Sequence, residues 1–430
     1  MRINSKLTME KYKEYKDSGV QWLGEIPSHW KCISIRRIAQ VNPLKNKQLN
    51  EDDIVGYAPM DRIRCDKMNP TIITVSKLTS GLTYCETGDI VLAKVTPCFE
   101  NGNVAIVPTV QNGCCFGSSE LFVFRAKSIV NVRFLFYTFL NKGFVDAGAS
   151  TMRGTGGLKR VTTEFANNAP IPLPFKAEQH SIVSYLDTKC SLLDTLLSNK
   201  EKQISLLQEM KQCVIADAVT RGVNPNVKFK TTNIPWLPEI PEYWEMSKVS
   251  SHFRQRNVKV SDKEYPALSV SKMGVTPQLD NVALSNAEGN SRKLVKIGDY
   301  AVNSRSDRKG SCGVSQYEGS VSLITIVLEP FDIDRGYVHY LFRSNPWIEE
   351  FYRNGRGIVA DLWTTNYQMM KGMYLPVPPL SEQRSIVSYI TERASKIDLL
   401  IEKLNKEIES IKEYKQRLIS DVVTGQVKVR

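Results

Sequence analysis

Two segments of this chain repeat each other 204 residues apart. Residues 178–185 (EQHSIVSY) return as residues 382–389 (EQRSIVSY), with seven of eight positions identical. The same offset relates Asp194 to Asp398, and the match continues without a gap over roughly 45 residues. This repeat constrains the fold more than any other feature of the sequence, because both copies must adopt one architecture.

A tryptophan motif precedes each copy of the repeat. Residues 22–30 (WLGEIPSHW) and 236–244 (WLPEIPEYW) share six of nine positions, whereas the segments that follow them resemble each other only faintly. Repeated motifs around two dissimilar segments suggest a duplicated recognition protein whose two halves recognise different targets. The predicted division is an N-terminal arm (1–30), a first globular domain (31–175), a first helix (176–221), a linker with the second motif (222–244), a second globular domain (245–379) and a second helix (380–430).

Both repeated segments are predicted to be long helices that keep a seven-residue apolar repeat. Eight of ten core positions are apolar in the first helix and nine of ten in the second, which indicates a coiled-coil seam. Two unrelated amphipathic helices are the alternative, but such helices rarely keep a strict repeat over five heptads. The seam residues are Leu186, Leu193, Leu197, Ile204, Leu207 and Val214 in the first helix, and Ile390, Ile397, Ile401, Leu404, Ile408, Ile411 and Leu418 in the second.

The two helices are predicted to pair in antiparallel orientation. Like helices that pair through the same face are related by a two-fold axis, here an internal pseudo-two-fold. About 33 residues of heptads span roughly 50 Å, comparable with one to one and a half turns of B-DNA. The expected arrangement is two globular domains held apart on a rod, although an extended linker could still bring the second domain back towards the first. The fold class is therefore α/β (α+β), with two similar domains joined by an antiparallel coiled coil.

Composition and missing motifs narrow the function. With 57 basic against 45 acidic residues, the net charge of +12 favours a polyanionic partner. No apolar run approaches the roughly 20 residues that span a bilayer, so a cytoplasmic protein without a membrane partner is expected. Nine scattered cysteines without a C-x-x-C pair indicate reduced thiols. The sequence contains no phosphate-binding loop motif and no cluster of histidines, so no motif indicates catalysis or a metal site.

Basic side chains lie at corresponding positions of the two domains, in loop-like stretches rich in glycine, serine and threonine. Residues 94–103 correspond to 304–313, and further basic residues flank the glycines at 154–157 and at 355. Such loops can approach phosphates and base edges. For any single residue, a solvated surface charge is the alternative. The predicted DNA-binding residues are Lys94, Asn101, Asn103, Arg153, Lys159 and Arg160 in the first domain, and Ser304, Arg305, Arg308, Lys309, Arg353 and Arg356 in the second.

Aromatic residues are predicted to build the cores. The runs 134–140 and 337–342 fit buried helices better than platforms on which unpaired bases stack. Strand-like runs at 121–125 and 323–328 precede them, so each domain should have a mixed α/β core. The four motif tryptophans, Trp22, Trp30, Trp236 and Trp244, are predicted to pack the arms against the domains.

Together these motifs resemble the specificity subunits of Type I restriction-modification systems. The tryptophan motif, the P-x-P-x-x-x-E-Q sequences at 172–179 and 376–383, and the tandem layout carry the resemblance over nearly the whole chain. One departure is Pro238, which stands where the first copy has Gly24.

The resemblance implies that each globular domain is a target-recognition domain for one half of a bipartite, asymmetric DNA sequence, and that the helices set the gap. It also implies two modification subunits, which carry S-adenosylmethionine and methylate adenine N6, and restriction subunits that use ATP and Mg²⁺. The chain itself would bind no cofactor and catalyse no reaction. A coiled-coil scaffold joining two protein-binding domains is the alternative, and a nuclease or methyltransferase acting alone is disfavoured by the missing motifs.

Overall fold

The computed structural model describes residues 10–155, 157–261, 263–278, 291–357 and 363–429. The chain forms two compact units, which comprise Met1–Lys200 with Lys406–Arg430 and Glu201–Asn405. Each unit therefore contains one globular domain, which we call a head, and about half of each long helix. The boundary runs through the middle of both helices, whereas the division drawn from the sequence treats the helices as separate segments.

The first repeat builds a head of short strands and small helices before its long helix. Its elements are β1 Tyr15–Asp17, β2 Glu25–Pro27, β3 Lys31–Ser34, α1 Ile35–Ile38, β4 Ala39–Val41, β5 Ile54–Ala58, β6 Ile63–Arg64, β7 Lys67–Met68, β8 Thr71–Thr74, β9 Thr83–Glu86, β10 Ile90–Ala93, β11 Val104–Ile106, β12 Cys114–Gly117, β13 Leu121–Ala126, α2 Val132–Phe139, α3 Lys142–Ser150, α4 Thr163–Asn168, β14 Pro170–Leu173 and α5 Lys176–Arg221.

The second repeat follows a similar order, without an α-helix at the place of α1. Its elements are β15 Phe229–Ile234, β16 Leu237–Pro241, β17 Glu245–Lys248, β18 Phe253–Gln255, β19 Lys259–Val260, β20 Leu268–Ser271, β21 Gly274–Pro277, β22 Arg292–Val295, β23 Tyr300–Val302, β24 Cys312–Val314, β25 Gly319–Ser322, β26 Ile326–Pro330, α6 Arg335–Phe342, α7 Asn345–Arg353, α8 Tyr367–Met370, β27 Tyr374–Val377 and α9 Leu380–Val423.

The sheets of the two heads correspond. The first head has a four-stranded sheet of order β11-β10-β13-β4, and the second has β24-β23-β26-β18. Both heads also pair the strand after the tryptophan motif with the strand before the long helix, as β3-β14 and β17-β27. The remaining sheet differs, with order β8-β5-β12-β9 in the first head and β19-β22-β25 in the described part of the second. The predicted mixed α/β fold with an internal repeat is confirmed.

The predicted aromatic core helices are confirmed. Phe134, Phe136 and Phe139 on α2 have no exposed surface, and Tyr337 on α6 is equally buried. One boundary was wrong, because β26 begins at Ile326 rather than at residue 323. Residues 323 and 324 lie in the preceding turn, where their side chains are 40% and 45% exposed, so apolar character there does not indicate a buried strand.

Each head packs on the start of one long helix and the end of the other. In the first unit, Ile182 near the start of α5 and Val422 near the end of α9 belong to one apolar core with Trp30. In the second unit, Val219 and Ile386 take the equivalent places. Trp30 and Trp244 are completely buried, so the predicted packing role of the motif tryptophans is confirmed there.

The helices pair in antiparallel orientation within each unit, as the heptads predict. Three lysines occupy seam positions that break the apolar pattern, and each forms an ion pair with the facing helix. In the first unit Lys415 lies 2.6 Å from Asp194, and in the second Lys211 lies 2.7 Å from Asp398. These two pairs are equivalent under the 204-residue offset. The third pair, Lys200 with Glu407, belongs to the first unit.

The predicted seam residues lie on the covered face of the helices. Eight are half-buried, and the other five are buried. Their charged neighbours Lys200, Lys211 and Lys415 keep 18–28% of their side chains exposed, which lets the ammonium groups stay hydrated beside the apolar seam. The five buried seam residues are Leu186, Ile390, Ile397, Ile408 and Leu418.

Candidate nucleic-acid interface

Two stretches that are far apart in the sequence form one surface in the first head. The Thr96 N–H donates to the Lys159 carbonyl at 2.9 Å, and the Val161 N–H donates to the Lys94 carbonyl at 2.8 Å. The Lys159 N–H donates in turn to the Thr96 hydroxyl at 3.0 Å. The loop 94–103 is therefore held beside residues 153–155 and 157–160, and we call them together the first basic surface.

The second head repeats this arrangement. The Ser306 N–H donates to the Trp363 carbonyl at 3.0 Å, and the Thr365 N–H donates to the Ser304 carbonyl at 3.0 Å. The loop 304–313 and the residues 353–356 and 363–365 form the second basic surface. Its main-chain pattern matches that of the first head, which supports the positional correspondence drawn from the sequence.

The first basic surface is partly neutralised by its own carboxylates. Arg160 donates two hydrogen bonds to Glu120, at 2.8 and 2.9 Å, and these bonds are the main reason why the pKa of Glu120 lies below its usual value. Lys94 is half-buried, with its Nζ 5.7 Å from the centre of the Phe122 ring. Arg153 and Lys159 are exposed and form no ion pair with the residues that the structure describes.

Most cations of the second basic surface are also paired. Arg305 and Arg308 approach Asp307 at 3.1 and 3.6 Å. Lys309 lies 2.9 Å from Glu349, and Arg353 lies 2.5 Å from Glu350. The pairs with Asp307 and Glu349 are exposed, and exposed pairs contribute about 0–1 kcal/mol, so a phosphate can replace either carboxylate at little cost. Arg356 is exposed and forms no ion pair within the described ranges.

Three polar residues predicted to contact DNA occupy different environments. Asn101 is exposed at the tip of its loop. Asn103 and Ser304 are only 8% and 4% exposed, and their carbonyls accept main-chain hydrogen bonds from Ala93 and Thr365. These two side chains belong to the framework that holds the surface, and neither is offered to a ligand.

A pair of glutamines, which the sequence analysis noted only as part of the repeat, joins each head to its long helix. Gln179 is 1% exposed; its Oε1 accepts from the Asn131 N–H at 2.7 Å, and its Nε2 donates to the Pro174 carbonyl at 3.0 Å. Gln383 makes the same bonds, with the Asp334 N–H at 2.7 Å and the Pro378 carbonyl at 2.8 Å. The repetition of both glutamines, each next to a proline-rich strand, was the sequence signal for this role.

The glutamates beside these glutamines bind the segments that precede the two heads. Glu178 accepts a 2.6 Å hydrogen bond from the Tyr12 hydroxyl and lies 3.0 Å from His29. Burial and the nearby Glu178 raise the pKa of Tyr12, which therefore stays protonated as the donor. Glu382 accepts from the Trp244 indole at 3.1 Å. The repeated Glu-Gln dipeptide is thus a structural junction in each unit.

Replacing either junction glutamine by alanine is expected to destabilise its unit by about 2 kcal/mol, because a buried N–H and a buried carbonyl lose their partners. Thermal unfolding of full-length Gln179→Ala and Gln383→Ala should show this loss. Gln203→Ala is the matched control, since Gln203 is exposed on α5. Unfolding of the junction variants at the temperature of the control would contradict the assigned role.

Other site types receive no support from the described ranges. No helix in them is both long enough and apolar enough to cross a membrane. No group of three histidine, cysteine, aspartate or glutamate side chains converges there as a metal site would require. All nine cysteines are free thiols, and five of them are buried.

Comparison with known proteins adds independent findings. The sequence profile of the Type I restriction modification DNA specificity domain matches residues 27–206. The EcoAI Type I restriction enzyme specificity subunit of Escherichia coli is 32% identical over 233 residues, which cover 53% of this chain but only 37% of that relative. The MjaVIII specificity subunit of Methanocaldococcus jannaschii is 23% identical over 452 residues, covering 99% of both chains.

A solved structure shares the fold. A chain from a study of complex assembly and conformational transition of the type I R-M system superposes with a TM-score of 0.68 at 18% identity, covering 93% of this chain and 98% of that one. The profile match over residues 27–206 and the full-length likeness make this chain similar to Type I restriction-modification specificity subunits over nearly its whole length.

Proposed function

We propose that this chain is the non-catalytic DNA-specificity subunit of a cytoplasmic Type I restriction-modification complex. Each head binds one half of a bipartite, asymmetric DNA site. The observation that carries this proposal is the pair of basic surfaces, which share one main-chain pattern but differ in side chains. Val95 and Arg160 in the first head correspond to Arg305 and Thr364 in the second. Two surfaces with the same main-chain pattern and different side chains are suited to recognising two different half-sites.

Selection from a random duplex DNA library by the full-length chain tests this function. We expect two short, unlike sequences separated by an unspecified gap of constant length. Affinity should fall linearly with the logarithm of salt concentration, because binding releases counterions from the phosphates. Enrichment of no sequence, together with salt-insensitive capture of other proteins, would favour the scaffold alternative.

The double variant Arg308→Ala/Lys309→Ala measures the phosphate contribution of the second basic surface. It is expected to weaken binding to all sequences and to reduce the salt slope by up to about 2 units, because both side chains are exposed in their loop. Lys396→Ala/Lys412→Ala, which removes two exposed lysines from α9, is the control with the same net charge. An unchanged slope in the loop variant would exclude that loop from the DNA interface.

Modification subunits are proposed to dock on the long helices. Leu196 and Tyr414 are 42% and 48% exposed in the first unit, and their repeat equivalents Leu400 and Met210 are 48% and 54% exposed in the second. Two equivalent apolar patches suit two copies of one partner, which would carry S-adenosylmethionine; restriction subunits would add ATP and Mg²⁺. We expect Leu196→Glu to remove one of two modification subunits, as measured by the mass of the assembled complex. Retention of both would exclude this patch.

A further inference from the structure

A hairpin that the sequence analysis did not single out projects beside the second basic surface. β20 and β21 pair through Ser271 and Gly274, which leaves Lys272 and Met273 at the tip. Gly274 has φ +106°, a value open to glycine, and it follows the two tip residues as in hairpins that close with a bulge. The Met273 N–H donates to the Ser271 hydroxyl at 3.1 Å. The conformation of the tip is therefore determined by the Gly274 backbone and by a hydrogen bond within the hairpin.

The hairpin is fastened to the strand that follows the basic loop 304–313. The Arg343 guanidinium donates to the Cys312 carbonyl at 3.1 Å and also to the Lys272 carbonyl. A Cβ on Gly313 would stand 3.0 Å from the Gly274 Cα, so the two backbones are in close contact. The hairpin tip is thus bonded directly to the strand that ends the second basic surface.

The tip presents an apolar side chain beside a cation. Met273 is 86% exposed, the highest value among the large apolar side chains in the described ranges, and Lys272 is also exposed. In the first head the β6-β7 hairpin lies beside the equivalent strand β11, because the Asp66 N–H donates to the Val104 carbonyl at 2.9 Å. Its tip carries the Asp66 carboxylate, which pairs with Arg133 at 2.6 Å. The tip of this hairpin therefore presents an ion-paired carboxylate in the first head and an exposed thioether side chain in the second.

We propose that Met273 is a specificity-determining wedge that enters a base step of the half-site bound by the second head. This inference rests on the proposed function. Proteins that bend DNA insert apolar side chains such as methionine between base pairs, and neighbouring cations hold the flanking phosphates. Methionine suits this role because its unbranched, polarisable side chain adapts to an irregular gap. Lys272 contacts the adjacent phosphate, and Arg343 positions the hairpin through the Lys272 carbonyl.

The test uses the full-length chain and the duplex that it selects from a random library. 2-Aminopurine, whose fluorescence rises when it is unstacked, replaces each adenine of the half-site and its flanks in turn. The wild-type chain should raise the fluorescence at one step. Met273→Ala should abolish that rise and weaken binding to the selected duplex about tenfold, whereas Met273→Leu should retain both. Ile297→Ala removes an exposed apolar side chain from another turn and should behave as wild type.

The outcomes separate this inference from the proposed function. Site-specific binding without a fluorescence rise at any position, or equal affinity of Met273→Ala and wild type, would overturn the wedge and leave the function intact. Failure of the wild-type chain to select any sequence would overturn the function and the wedge together. A lower salt slope for Lys272→Ala with an unchanged slope for Met273→Ala would support the division of roles between the two tip residues.

Discussion

Exchanging residues 31–169 for the matching segment of a Type I specificity subunit is expected to change one half of the selected DNA site and to leave the other half unchanged. This result is expected because the exchanged segment carries the whole first basic surface. The junction to α5 survives the exchange, since Gln179 binds the main-chain N–H at position 131 rather than a side chain. Selection from a random duplex library by the chimaera gives the readout.

The reciprocal exchange of residues 245–374 is the matched control, and it should change only the other half-site. Both chimaeras should unfold at temperatures close to that of the parent if the junctions are intact. Simultaneous change of both half-sites in either chimaera would contradict the assignment of one head to each half-site.

Lengthening both long helices by one heptad is expected to widen the unspecified gap by about three base pairs. Insertion between residues 203 and 204 of α5 and between 404 and 405 of α9 adds roughly 10 Å to each helix and keeps the seam on the same face. The facing positions follow from the pairs Lys200 with Glu407 and Lys211 with Asp398. Affinity should fall as well, because the added base pairs rotate one half-site about the DNA axis.

A heptad inserted into α5 alone provides the contrast. It displaces the residues of one helix against the other, so the ion pairs and the seam lose their register and thermal stability should decrease. The two half-site sequences themselves should persist in the double insertion. Recovery of the original gap at full affinity from the double insertion would show that the helices do not set the spacing.

The tertiary structure changed the interpretation of several charged residues. Lys200, Lys211 and Lys415 were exceptions to the heptad pattern in the sequence, and the structure pairs each with an acid on the facing helix. Arg160 and Lys309 were predicted as DNA contacts, and the structure pairs both with carboxylates. Such partners are distant in sequence, by 40 residues for Arg160 and 207 for Lys200. Local composition therefore cannot reveal them.

The sequence by itself determined the repeat, the two long helices and their antiparallel pairing, because these depend on periodic apolar residues and on identity between copies. Only the tertiary structure decided which loops lie together and which polar residues are buried. The hydrogen bonds between residues 94–96 and 159–161 join segments whose separation leaves no local pattern. The exposure of Met273 was equally hidden, since an apolar residue in a short strand-rich segment looks the same in sequence whether it faces the core or the solvent.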